Sequence, residues 1–96
     1  MSRFTVLHSC VESRRLGLFD GYGKCHVACV TDGLLAAVGD RFHGSNPALG
    51  LHFLVTAGSG HRVSANFEFV HVSREAMFAI LDHLQPRPRH CRPTHA

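Results

Sequence analysis

Tryptophan is absent from this 96-residue chain, tyrosine occurs once, and a single lysine stands among ten Lys and Arg residues. Charged residues make up only 18%, and no apolar run approaches the ~20 residues that a bilayer-crossing helix needs. A membrane partner is therefore not expected. The first fifteen residues hold no apolar stretch of the length an export signal requires. Four cysteines, Cys10, Cys25, Cys29 and Cys91, stand at irregular spacings. In a chain without an export signal that pattern predicts free thiols and a cytoplasmic location.

The spacings that mark metal and catalytic centres are missing as well. Nine histidines accompany the four cysteines, yet no CxxC, HExxH or helical HxxxH occurs. Cys25 and Cys29 fall in a segment read as a strand, which sets them about 13 Å apart, too far to share one zinc. Cys25 and His26 are neighbours whose side chains leave a strand on opposite faces, so they form no thiol–imidazole pair. His71-Val72-Ser73 resembles the His-x-Ser/Thr element of two-histidine phosphoesterases, but those enzymes need two such elements and no second one stands here. Gly58-Ser59-Gly60 lies between strands, with no helix start to aim amides at a phosphate. The seven acids are scattered singly, which leaves paired-carboxylate hydrolysis without support. Neither an enzyme nor a cofactor is expected.

The charge that is present has a location. Formal charge is +3, but residues 86–96 contain Arg87, Arg89 and Arg92 and no acid, so bases and acids cancel over 1–85. A basic groove is accordingly not expected on the folded body. The division read from this is one domain over 1–85 and a Pro/Arg-rich tail over 86–96.

Hydrophobic periodicity supplies the architecture. Met77, Ile80, Leu81 and Leu84 share one stripe behind a Ser73 cap, and Pro86 and Pro88 follow, which predicts a helix over 74–84. Upstream, Val63, Ala65, Phe67 and Phe69 alternate with polar residues, and Leu51, Phe53 and Val55 alternate before a Gly-Ser-Gly turn. Leu16–Phe19, Cys25–Cys29 and Arg3–His8 read as further extended segments. Thr31-Asp32 resembles a helix cap ahead of Leu34, Leu35, Val38 and Phe42, which predicts a second helix over 32–42. Residues 43–50 read as a connector. The expected fold is α+β: an antiparallel sheet of four or five strands with two helices on one face, ordered ββα-ββα.

One face of such a sheet stays open, and a chain this small gains from burying it against a partner. The expected function is a non-enzymatic protein-interaction module that forms a homodimer, a small regulator or inhibitor of a larger complex, a class that includes regulators encoded by mobile elements. Phe78, Val70, Val72, Arg14, Arg15 and Tyr22 are the candidate contact residues. The alternative is a nucleic-acid accessory protein using Arg14, Arg15 and the tail arginines Arg87, Arg89 and Arg92. Nine histidines also suggest a pH response.

Overall fold

The computed structural model describes residues 2–84. Over that range the chain forms six strands and one helix: β1 (Ser2–Cys10), β2 (Arg15–Phe19), β3 (Cys25–Asp32), β4 (Arg41–Gly44), β5 (Gly50–Thr56), β6 (Arg62–Val72) and α1 (Arg74–Leu84). All neighbours pair antiparallel, in the closed order β1-β2-β3-β6-β5-β4. The expected two-layer α+β sheet is therefore corrected to a closed barrel with a single short helix.

Alternation builds the interior. Phe4 and Val6 of β1, Leu16 and Leu18 of β2, Ala28 and Val30 of β3, Phe42 of β4, Leu54 of β5, and Val63, Ala65 and Phe67 of β6 form one buried cluster. A barrel of so few strands leaves an interior that side chains fill. Gly44 belongs to that limit: a Cβ there would sit 2.5 Å from Leu54 Cδ2.

The helix expected at 32–42 is absent. Gly33 and Gly39 take φ of +104° and +97°, conformations that interrupt a helix. The supposed stripe is split: Leu34 and Val38 are exposed, while Phe42 points into the barrel from β4. The segment serves as a plug instead. Ala36 is buried in the core with Leu35 packed beside it, and Ser9 Oγ donates to the Ala36 carbonyl at 2.6 Å. The Val6 amide donates to Asp40 O and the Gly39 amide to Val6 O, each at 2.9 Å, which ties the plug to β1. Thr31 caps no helix; it lies in β3 and its hydroxyl donates to Ser64 O at 3.3 Å.

The second helix does form. Ser73 Oγ accepts the Ala76 amide at 3.0 Å, and α1 buries Met77 and Leu81 against Cys25 and Val27 of β3. Gly17 makes the seat in β2, since a Cβ there would meet Met77 Sδ at 2.7 Å and Leu81 Cδ1 at 2.9 Å. Burying the two side chains stabilises this docking by about 1.5–3 kcal/mol each. β2 and β3 are thus covered on both faces, by the barrel interior and by α1. In the closed order, β5 lies opposite β2 and carries no such cover.

Candidate functional site

Two features of the barrel wall stand out, and a third beneath it looks like a metal centre without behaving as one. The wall opposite the helix presents β5 with Leu54 turned inward and Leu51, Phe53 and Val55 turned outward, at 60%, 56% and 38% exposure. Leu49, just upstream, is also exposed. The alternation of Leu51, Phe53 and Val55 seen in the sequence thus describes a solvent-facing stripe. Arg62 lies over the Phe53 ring, 5.1 Å from its centroid. β4, β5 and β6 contain one acid, Glu68, and a two-point ion pair with Arg15 at 2.8 and 3.3 Å occupies it.

Adjoining this stripe is an open cleft of about 650 Å³. Its lining includes Arg3, Thr5, Phe19, Asp20, Tyr22, Arg41 and His43. Register explains the assembly: Arg3 faces His43 across β1 and β4, Thr5 faces both Arg41 and Phe19, and His43 faces Val55 of the apolar stripe. Neither Arg3 nor Arg41 has an ion-pair partner among the described residues. Tyr22, on the β2–β3 turn, is 86% exposed. The turn itself is fixed by Asp20, whose Oδ1 accepts the Tyr22 amide at 2.7 Å and the Lys24 amide at 3.3 Å.

Beneath the cleft lies His26, fully buried, with Asp20 Oδ2 3.0 Å from its Nε2. Its Nδ1 accepts the His71 amide at 3.0 Å, which places the ring proton on Nε2, where it is donated to Asp20. The reason for this arrangement is a bulge. Pairing steps from Cys25↔Val72 to Val27↔Phe69, so Val70 and His71 together oppose His26, and His71 takes φ +58°. The imidazole satisfies the amide that the bulge releases. Burial lowers the His26 pKa, outweighing the raising effect of Asp20, so the ring is neutral at pH 7. Burial opposes ionisation of Asp20, but the donors from His26, Tyr22 and Lys24 prevail and hold its pKa below the ordinary value.

Asp20, His26 and His71 offer ligand atoms within 4.8 Å of one another, the spacing of a loose metal cluster. Both His26 nitrogens are committed to hydrogen bonds, however, to the Asp20 carboxylate and the His71 amide. The geometry is that of a structural tie between β2, β3 and β6. Cysteine chemistry is equally quiet: burial beneath the helix raises the Cys25 pKa, which keeps the thiol protonated and unreactive. Cys25 and Cys29 are free thiols.

The residues singled out from sequence are dispersed. Arg14 has φ +57° and its guanidinium donates to Val30 O at 3.1 Å and Gly33 O at 2.6 Å, so it fastens a turn to the plug. Arg15 pairs with Glu68, whose hydrogen bond raises the arginine pKa. Val70 packs against the barrel core and Val72 against the helix cluster. Phe78 is 38% exposed and sits edge-on to His8, 6.1 Å between centroids. Tyr22 alone reaches the cleft. Arg87, Arg89 and Arg92 lie outside the described residues. Sequence reasoning missed Leu51, Phe53, Val55, Arg3, Arg41 and Arg62; an outward apolar strand gives the same alternation as an inward one, so only register separates them. Among the described residues no helix is long and apolar enough to cross a membrane. Compared with family models, curated proteins and solved structures, the chain matches none.

Proposed function

We propose that this protein is a non-enzymatic interaction module that binds another protein through the outward face of β5. The observation that carries the reading is the stripe Leu51–Phe53–Val55 on the one wall opposite the helix. Large apolar side chains in solvent contribute nothing to the barrel and favour aggregation, whereas apolar and aromatic groups edged by arginine are the usual composition of a protein interface. β5 is hydrogen-bonded to β6 over residues 50–55 and to β4 over 54–56, and the partner engages the outward side chains of the stripe.

The partner favoured by charge is a different protein with an apolar patch ringed by acids. Arg62 and His43 border the stripe, and the sole acid of β4, β5 and β6 is held by Arg15. Two copies packed face to face would bring like charges to the rim. The test places a photo-crosslinking amino acid at position 53 in cells of the source organism, identifies the adduct, and purifies that protein for binding assays. The expected result is direct binding of the purified partner, lost in Leu51→Asp and Phe53→Asp and retained in Asp82→Ala. Adducts formed only with a second copy or with nucleic acid, or unchanged affinity in the aspartate variants, would overturn the reading.

A further inference from the structure

We infer that the cleft between β1, β4 and the β2–β3 turn is a nucleotide-binding site, holding phosphate between Arg3 and Arg41 and stacking the base on Tyr22. The cleft volume of about 650 Å³ is within the range of small-ligand sites. Its chemistry narrows the ligand class. Two arginines without carboxylate partners among the described residues line one cavity and supply planar donor forks suited to phosphate oxygens. A simple inorganic anion would leave Tyr22 unexplained: the chain's only tyrosine is 86% exposed on a turn that Asp20 fixes by accepting hydrogen bonds from two backbone amides. An exposed aromatic on a fixed turn, beside cationic forks, is a stacking platform.

Asp20 is the one acid in the lining, and its position matters because a free carboxylate would repel phosphate. Its oxygens are already occupied by the Tyr22 and Lys24 amides and by His26, so the negative charge is turned into the protein. Phe19 adds an apolar ring to the lining, and Arg74 lies over that ring at 5.7 Å from the centroid. The shared ligand unit, an aromatic base carrying a phosphate, occurs both as a free mononucleotide and as one unit of a single strand. This site adjoins the β5 stripe at His43, but its assignment does not depend on the protein-binding reading.

Isothermal titration of the full chain with adenosine monophosphate, inorganic phosphate, adenosine and a short oligoadenylate tests the assignment. The expected result is binding of the monophosphate that exceeds phosphate and adenosine, with affinity falling about tenfold or more for Arg3→Ala and again for Arg41→Ala. Tyr22→Ala is expected to weaken it by about fivefold or more. All three positions are exposed, and unchanged melting temperatures confirm folding of each variant. An oligomer that binds far more tightly, with a steep salt dependence, identifies a strand as the source; equal affinity identifies the free nucleotide. Absence of binding at about 1 mM, inorganic phosphate as good as the nucleotide, or affinity indifferent to both arginines would overturn the assignment.

Discussion

Replacing His26 by alanine tests the claim that this histidine is a structural tie and no part of a reactive centre. The side chain is fully buried, its Nδ1 satisfies the His71 amide and its Nε2 serves Asp20. Its removal strands the amide, at about 1–3 kcal/mol, and withdraws a donor from a charged acceptor, at about 1.5 kcal/mol because two backbone donors remain. The space left beside Phe4 and Phe67, whose rings lie 5.8 and 6.4 Å from the imidazole, adds a cavity cost. Together these give about 3–5 kcal/mol. For a domain of this size that is a fall in melting temperature of about 12 °C or more, measured by circular dichroism. Two partial replacements divide the cost. His26→Asn can still accept from His71, and His26→Gln can still donate to Asp20, so each is expected to recover part of the loss. A drop under about 2 °C for the alanine variant, or no recovery with either amide, would refute the reasoning.

Stability is expected to decline in mild acid, because burial lowers the folded-state pKa values of both His8 and His26 below 6.5. Their contribution is complete above pH 6.5 and is lost as pH falls from there toward the folded values, while lowered Asp20 adds a loss in stronger acid; denaturant midpoints across pH 4 to 8 that stay flat would contradict this. Gly17→Val should cost about 1–3 kcal/mol by forcing Met77 and Leu81 off their seat, and urea unfolding measures it. Gly33→Ala should cost about 1–3 kcal/mol, since φ is +104° and the Arg62 carbonyl stands 3.1 Å from the new Cβ. Phe53→Asp should leave the melting temperature nearly unchanged, because that ring is already 56% exposed.

What was readable in the sequence was local. Ser73 with the Met77/Leu81 stripe specified α1, and the strand segments around Leu16, Cys25, Leu51 and Val63 are all extended. At 32–42 the same local grammar misled. Asp32-Gly33-Leu34-Leu35 has a helical hydrophobic period, but two glycines at positive φ let the chain turn across the barrel end, where burying Ala36 and satisfying β1 outweigh helix formation. β4 was hidden for a related reason. Arg41–Gly44 has only one interior side chain, Phe42, and pairs with strands 30 or more residues earlier and about a dozen later. No short window carries that information. Charge failed in another way. The balance of bases and acids over 1–85 is real, yet Arg3 and Arg41 meet in one cleft while Glu68 is paired with Arg15 and the Asp20 carboxylate is turned to donors inside the protein. Net charge sums over a surface; recognition depends on where the uncommitted groups lie.

The two walls of the barrel show why the β5 stripe calls for a functional cause. At β2 the outward face is made small by Gly17, and α1 fills the space with Met77 and Leu81. At β5 nothing in the described chain performs that task, and the outward positions are large and apolar where a strand facing water on one side would alternate to polar residues. Stability alone does not require this, because Leu54 and Phe67 already supply the interior contacts. Nor does strand pairing, which uses backbone groups and not these outward side chains; β5 is bonded to β6 over 50–55 and to β4 over 54–56. On the proposed reading, what remains is a side-chain surface that a partner would bury, and its arginine border would set the charge that partner brings.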